Sequence, residues 1–282
     1  MPWFDQLPLL VALAPFAGLF CAALVKRRDP MIVGDRVYRH DPPARISHWT
    51  HALGVAACLV SGIILGLRFT PAFVADGPAA IVWMNVHFVA AVSFLFGTFF
   101  YLGNTLVSSH RFKEHLPTRD AVVTTIHHYG RKLGFKNLSP VEEDKYFESE
   151  KIAYLMALGC SVLLVLSGLV KALAHVALAL PDPFMNVVTW THDIAAALML
   201  LFFLAHVFFA AVVPFSWKTF PSMIFGWMPR SEAEHEHKLW VRRLKEAGRV
   251  ADEPDAALAP VASGPGAPAP AGSASADKAG AR

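Results

Sequence analysis

The stretch TWTHDIAAALMLLFFLAHVFFAAVV, residues 189–213, is almost entirely apolar, yet it contains two histidines and one aspartate. A helix of this length spans the hydrocarbon core of a bilayer, which is about 30 Å thick. His192 and His206 are 14 residues apart, about 40° short of four helical turns, so both side chains project from nearly the same face. Because ionisable groups at membrane depth are costly and usually face the bundle interior, we predict a membrane helix with one functional face.

The whole chain has the composition of a membrane protein. Its 282 residues are 55% hydrophobic and 17% charged, and its mean hydropathy of +0.42 is far from that of a soluble domain. Backbone amides inside a bilayer must be satisfied within the segment, so apolar stretches of this length are helices. We predict an all-α integral membrane protein with five transmembrane helices, a four-helix bundle plus an extra N-terminal helix, at about 7–25, 48–68, 81–107, 152–180 and 187–213.

The basic residues predict the orientation of these helices. Lys26-Arg27-Arg28 follows the first helix and no Lys or Arg precedes it, which is typical of a retained anchor with its N-terminus outside. Inside segments would then be 26–47, 108–151 and 214–282. These hold 23 of the 25 Lys and Arg residues, all except Arg68 and Lys171, as expected for cytoplasmic loops. We therefore predict a multi-pass protein with a cytoplasmic C-terminus.

The chain divides into three parts. Residues 1–28 form the N-terminal membrane anchor, and residues 29–250 form the main membrane domain. Residues 251–282 are rich in Ala, Pro, Gly and Ser with few charges. Such a composition cannot bury a core, so we predict that this tail is disordered.

The membrane histidines fall at two depths. In the predicted topology His87 and His192 lie near the outer face. His48 and His206 lie near the inner face, with His206 about 21 Å from His192 along the helix. His51 is one helical turn from His48, and the spacing alone does not choose between these two.

Two imidazoles per level match the needs of haem. A flat macrocycle takes one axial nitrogen from each side, and imidazole is a common axial ligand. We expect two b-type haems, with iron bound by His87 and His192 at the outer level and by His48 and His206 at the inner level. A zinc site would need three or four converging ligands, a proton relay would need polar residues across the midplane, and c-type attachment would need C-x-x-C-H; the sequence has none of these patterns.

The sequence Arg45-Ile-Ser-His48-Trp49, the histidine near the start of the next helix and the final pair 14 residues apart resemble the cytochrome b (gamma) subunits of membrane-bound formate dehydrogenases and nickel-iron hydrogenases. The resemblance covers about residues 36–246 and includes four of the five helices. The family motif Arg-x-x-His-Trp falls on His48, so the resemblance implies that His48 is the ligand. His51 would then be a neighbour of a haem propionate or of a quinone.

The resemblance also implies a quinone site. Formate dehydrogenase subunits often carry Gly-Gln-Lys before the third core helix, close to the quinone and the inner haem. This chain has Ser149-Glu150-Lys151 in that place, so only the lysine is kept. The resemblance implies that menaquinone or ubiquinone binds beside Ser149, Glu150 and Lys151.

The resemblance further implies a role in a bacterial inner (cytoplasmic) membrane. A molybdenum or tungsten catalytic subunit outside would pass electrons through an iron–sulfur subunit to the outer haem, the inner haem and the quinone. No nucleic acid is expected among its partners. Three alternatives stay open: the cytochrome b of a nickel-iron hydrogenase or of a related molybdenum or thiosulfate reductase, a stand-alone quinol-oxidising cytochrome b, and a channel or transporter without haem.

Overall fold

A computed structural model of the chain describes residues 1–66, 77–107 and 109–252. Four of its helices are long and apolar enough to cross a membrane, and the shorter apolar helix α2 precedes them. The predicted all-α membrane class is confirmed. The predicted end of one helix at residue 68, the residue Arg68 and the tail 253–282 lie outside the described residues. The five helices are α2 (Leu9–Leu24), α3 (Pro42–Gly66), α4 (Gly77–Val107), α7 (Glu148–Val176) and α8 (Asp182–Val207).

Helix α3 begins six residues before the predicted start at residue 48. Proline is favoured in the first turn of a helix because its missing N–H has no intrahelical partner there, and Pro42 and Pro43 occupy that turn. Asp41 caps the helix, since its Oδ1 accepts a hydrogen bond from the Ala44 amide at 3.2 Å. The apolar run alone could not reveal this polar first turn.

The remaining helices are short and lie mostly outside the spans. They are α1 (Trp3–Gln6), α5 (Ser109–Glu114), α6 (Ala121–Lys132), the π-helical turn Phe208–Val212 that extends α8, the 3₁₀ turn Pro214–Ser216, α9 (Ser222–Phe225), α10 (Arg230–Glu236) and α11 (Lys238–Glu246).

A small sheet joins segments that are far apart in sequence. Its strands are β1 (Met31–Val33), β2 (Arg36–Tyr38), β3 (Trp227–Pro229) and β4 (Val250–Ala251), in the order β3-β2-β1-β4. β2 is antiparallel to both β1 and β3, and β4 is parallel to β1. Ile32, Val37 and Met228 of the sheet form a buried cluster with Trp240 of α11. The sequence analysis missed this sheet because strands of two or three residues show no alternation.

The spans pack as two groups, α2 and α3 on either side of α4, and α7 against α8. Glycines allow close approach in the first group. A Cβ at Gly97 of α4 would lie 2.6 Å from the His51 amide nitrogen of α3, and a Cβ at Gly18 of α2 would lie 2.5 Å from the Phe96 carbonyl oxygen of α4. Small residues at such seams let helix backbones come close enough for van der Waals contact, which holds membrane helices together.

The two ends of the bundle differ in charge. One end is formed by residues 26–41, 112–147 and 214–252, and we call it the basic end. Ion pairs join these segments, with Arg249 Nη2 2.9 Å from Asp29 Oδ2 and Arg242 Nη2 2.6 Å from Glu142 Oε2. These parts of the three inside segments predicted from the sequence therefore lie together.

At the other end, which we call the opposite end, α1 contacts the spans. The Trp3 amide donates to Asn85 Oδ1 at 2.7 Å, and His175 Nε2 lies 2.8 Å from Asp5 Oδ1. At the basic end Arg27 Nε donates to Asn104 Oδ1 at 3.0 Å. Residues 3–27 therefore follow α4 from Asn85 to Asn104, about 28 Å at 1.5 Å per residue.

Candidate functional site

His48 and His206 meet between the two helix groups, near the basic end. Their ring centroids are 6.1 Å apart, the edge of Trp49 lies against His48 at 5.3 Å, and Phe202 stacks on His206 at 5.5 Å. A metal–imidazole bond is about 2 Å long, so two such bonds and half a ring on each side come to about 6 Å. The separation of these imidazoles fits one metal centre between them.

His87 and His192 form the second level, toward the opposite end. Both are half-buried, with His87 on α4 and His192 on α8. Ser61 Oγ lies 2.9 Å from His87 Nδ1, and Ser167 Oγ lies 2.9 Å from His192 Nδ1. Each Nδ1 thus has a partner within the protein, which leaves the other ring nitrogen, Nε2, for a ligand.

A glycine follows each of these serines and leaves room beside the ring. A Cβ at Gly62 would lie 3.6 Å from His87 Cε1, and a Cβ at Gly168 would lie 3.4 Å from His192 Cε1. Any larger side chain would extend over the imidazole. The missing side chains keep space beside both rings, as a bulky planar ligand requires.

His51 points in another direction from His48. Its Nδ1 lies 3.1 Å from Thr98 Oγ1 and its ring 4.9 Å from Phe94, both on α4. The structure thus places His51 in the α3–α4 seam. Within the described residues, the histidine of α3 in ring contact with His206 is His48.

Ser149, Glu150 and Lys151 open α7 at the basic end. Lys151 is buried and its Nζ lies 2.7 Å from Glu148 Oε1. Glu150 Oε2 accepts a hydrogen bond from the Phe147 amide at 2.9 Å. The stretch therefore opens α7 at the same end of the bundle as His48 and His206.

Three polar residues that the sequence analysis did not select also belong to this region. Tyr129 Oη lies 3.3 Å from Ser149 Oγ, the buried Arg39 donates from Nη2 to Glu150 Oε2 at 3.3 Å, and Glu148 accepts at Oε2 from the Thr118 amide at 2.8 Å. Glu148 could have been found from the sequence, because it precedes Ser149 and lies three residues from Lys151, the spacing of an ion pair on a helix. No sequence signal links Tyr129 or Arg39 with that stretch.

A buried acidic and histidine cluster lies just outside α7. Glu143 is 3% exposed, and its Oε2 accepts from the Glu148 amide at 3.2 Å. His128 Nδ1 lies 3.6 Å from Glu143 Oε1, and His128 Nε2 lies 3.7 Å from Glu236 Oε2. Burial raises the pKa of Glu143 to about 7. This carboxyl can therefore bind and release a proton near neutral pH.

Two histidines of the same end have pKa values below the ordinary value of an imidazole. Burial lowers the pKa of His128, and the Lys132 ammonium lowers it further. Burial also lowers the pKa of His237 to about 3, with Arg39 adding to the effect. The His237 ring stacks on Phe147 at 4.6 Å. The imidazoles of His128 and His237 thus both pack on Phe147, the residue before α7.

The donor set at the two levels fits haem. Among the residues that the structure describes, no group of three or more His, Cys, Asp or Glu side chains is arranged to hold a metal ion. Each level instead provides two imidazoles from two different helices. One nitrogen from each side is what a haem iron takes from a protein that supplies two axial ligands.

Comparisons with known proteins identify the family of this chain. Residues 39–226 match the family described as prokaryotic cytochrome b561. The chain is also 25% identical over 229 residues to the formate dehydrogenase cytochrome b556(fdo) subunit of Escherichia coli strain K12, covering 79% of this chain and 97% of that subunit. The same values hold for the subunits of Escherichia coli O6:H1 and O157:H7. Because the family match covers well over half of its residues, this chain belongs to the prokaryotic cytochrome b561 family of b-type haem proteins.

Proposed function

We propose that this chain is the membrane-anchoring di-haem cytochrome b subunit of a formate dehydrogenase complex, and that it passes electrons across the membrane to a quinone. The observation that carries the proposal is the presence of two imidazole pairs at two levels of the bundle, with one member of each pair on α8. The relatives named as formate dehydrogenase subunits support the choice of complex.

The proposed ligands are His87 and His192 at the opposite end and His48 and His206 at the basic end. A b-type haem at each level, when bound, supplies a reversible one-electron carrier. The chain's own contribution is to hold the four imidazoles in place and to exclude water. The 14-residue spacing on α8 keeps the two levels about 21 Å apart along the helix, so α8 joins both levels in one rigid element.

The basic end would face the cytoplasm of a bacterium and the opposite end would face outward. The grouping of Lys and Arg supports this orientation. The course of residues 3–27 along about 28 Å of α4 supports α2 as a fifth span. Electrons would then arrive at the opposite end from an iron–sulfur subunit and a molybdenum or tungsten catalytic subunit.

The quinone, menaquinone or ubiquinone, would bind at the basic end beside Ser149, Glu150 and Lys151. The position of this stretch at the same end as His48 and His206 supports that site, and the Tyr129 hydroxyl lies 3.3 Å from Ser149 Oγ. Reduction of a quinone to a quinol takes up two protons with two electrons. Glu143 could pass on protons there because burial holds its pKa at about 7.

Spectroscopy of the purified chain tests the haem proposal. The dithionite-reduced minus oxidised spectrum should show a b-type α-band, and the pyridine haemochrome assay should give two haems per chain. A chain that folds in detergent and carries no haem would overturn the proposal.

Copurification tests the proposed complex. A tagged chain isolated from its native membrane should bring down an iron–sulfur subunit and a formate-oxidising subunit, and the complex should reduce quinone with formate. Recovery of a hydrogen-oxidising subunit instead would replace formate dehydrogenase with a hydrogenase.

A pair of variants tests the quinone site. Lys151→Met removes one member of a buried ion pair and leaves Glu148 without its partner, a loss of about 3–5 kcal/mol. The double variant Lys151→Met/Glu148→Gln removes both charges and should regain most of that stability. Both variants should lose quinone reduction while the double variant keeps two haems; normal quinone reduction by the double variant would exclude Lys151 from the site.

A further inference from the structure

Two serines from different helices contact imidazoles at the same level. The Ser61 hydroxyl lies 2.6 Å from the Ala57 carbonyl on α3, and the Ser167 hydroxyl lies 2.6 Å from the Leu163 carbonyl on α7. A serine hydroxyl has one proton and two lone pairs, and here each proton goes to the carbonyl four residues earlier. The contact with the histidine must therefore run from an imidazole N–H to the serine oxygen.

This direction fixes the tautomer of both histidines. Nδ1 of His87 and Nδ1 of His192 each carry the proton, at 2.9 Å from their serine oxygens. The unprotonated nitrogen is then Nε2 in both rings. A metal binds at a nitrogen lone pair, so both rings are ready to bind through Nε2 without losing a proton.

The same construction occurs twice. Each serine is followed by a glycine, in Ser61-Gly62 and Ser167-Gly168, and each glycine lies against the Cε1 edge of the same imidazole. One helix turn thus provides both an acceptor for the ring N–H and an open side for the ring.

The basic-end pair has no such support. In the described part of the chain, His48 and His206 contact aromatic rings and make no hydrogen bond to a side chain or carbonyl. His51 does contact a hydroxyl, that of Thr98, but it faces α4 and not His206.

We propose that Ser61 and Ser167 are positioning residues that lower the reduction potential of the opposite-end haem below that of the basic-end haem. This inference rests on the proposed haem ligands. An imidazole that donates its N–H to an acceptor becomes a more basic ligand, which favours ferric over ferrous iron. An electron then moves downhill from the opposite-end haem, which is oxidised, to the basic-end haem, which is reduced.

Spectroelectrochemical titration of Ser61→Ala and Ser167→Ala in the full chain tests the proposal. Each variant should keep two haems per chain and shift one midpoint potential upward while the other stays in place. Both should shift the same haem, although the two serines are on different helices. The low-spin EPR signal of that haem should change as well.

Two matched variants separate positioning from packing. Ser161→Ala removes a hydroxyl that is buried on α7 but does not contact a histidine, and it should leave both potentials in place. Ser61→Thr and Ser167→Thr keep a hydroxyl that can bond to the carbonyl four residues earlier, and they should restore the original potential.

The outcomes are distinct. A shift confined to one haem in both alanine variants and reversed by threonine supports the proposal. Two haems with unchanged potentials, or shifts equal to that of Ser161→Ala, overturn it and leave the proposed function intact. An alanine variant could also lose a haem. In that case, two haems in the threonine variant support the proposal, and one haem in the threonine variant overturns the proposal. A wild-type chain without two haems overturns both this inference and the proposed function.

Discussion

The two histidine levels of the bundle are held in different ways. At the opposite end His87 and His192 each meet a serine hydroxyl at 2.9 Å and lie beside a glycine. At the basic end His48 and His206 meet aromatic rings, and the ionisable Glu148, Glu150 and Lys151 lie at the same end. Hydrogen bonds orient the imidazoles of the opposite end, whereas the basic end combines ring packing with ionisable groups at the same end.

This difference suits two tasks. A site that only accepts and passes electrons gains from imidazoles that are held in a fixed orientation. A site that also serves a quinone must accept protons, and it therefore needs carboxyl and hydroxyl groups within reach. The distribution of charge along the bundle agrees with this division, because the buried carboxyls Glu143 and Glu148 both lie at the basic end.

The largest expected effect comes from removing one ligand at each level. His192→Ala should remove the opposite-end haem and His206→Ala the basic-end haem, because each leaves one imidazole where two are needed. The haem content should fall from two per chain to one in both variants. The remaining spectra should differ, since each variant keeps the level that the other loses.

His51→Ala is the control for this comparison. Its ring contacts Thr98 and Phe94, so the variant should keep two haems, and His48→Ala should keep one. A His51→Ala variant with one haem would mean that His51, and not His48, completes the basic-end pair. A variant of His192 or His206 that retained two haems would exclude that residue as a ligand.

Much of this arrangement could be predicted from the sequence because hydrophobic length and helical spacing are local properties. The runs of apolar residues were sufficient to predict the helices, and the 14-residue interval in α8 was sufficient to predict two histidine levels. The partners of the imidazoles were not predictable in this way. Ser61 and His87 are 26 residues apart and Ser167 and His192 are 25 apart, and only the packing of two helices brings each pair together.

The basic end was the least predictable region. Its sheet unites residues 31–38 with residues 227–229 and 250–251, and its strands are too short to show a period. Arg39, Tyr129 and Glu150 approach each other across loops for the same reason. Contacts between polar loops that are far apart in the chain leave no periodic pattern in the local sequence.

A second effect, of a few kcal/mol, is expected at the seam between α3 and α4. Gly97→Leu would place a side chain where a Cβ already lies 2.6 Å from the His51 amide nitrogen, so the helices must separate, and overpacking of this kind costs about 1–3 kcal/mol or more. The basic-end haem should be lost first, because His48 lies on α3 within one turn of this contact. Thermal unfolding in detergent and haem content measure the effect.

Gly159→Leu is the matched control on α7. Nothing lies within 4 Å of a Cβ at that position, so the variant should keep wild-type stability and two haems. Equal losses in the two glycine variants would mean that leucine disturbs membrane insertion and not the α3–α4 seam.

The smallest effect concerns the pH dependence of the basic end. The unfolded chain releases the Glu143 proton near the ordinary pKa of 4.5, whereas the folded chain keeps it to about pH 7. The stability contributed by this carboxyl is therefore complete below pH 4.5 and is lost as the pH rises to about 7. His237 acts in the opposite sense, because its folded pKa of about 3 lies below the ordinary 6.5 and its contribution grows as the pH rises from 3 to 6.5.

Glu143→Gln removes the pH-dependent contribution of Glu143 to stability and leaves that of His237. The stability of the variant relative to wild type should rise between pH 5 and pH 8 by on the order of 1–3 kcal/mol, measured as the difference in thermal midpoint in detergent at each pH. Glu142→Gln changes an exposed neighbour and should stay within about 0.5 kcal/mol of wild type throughout. Parallel pH profiles for Glu143→Gln and wild type would show that Glu143 is ionised across this range, and the basic end would then lose its nearest proton donor.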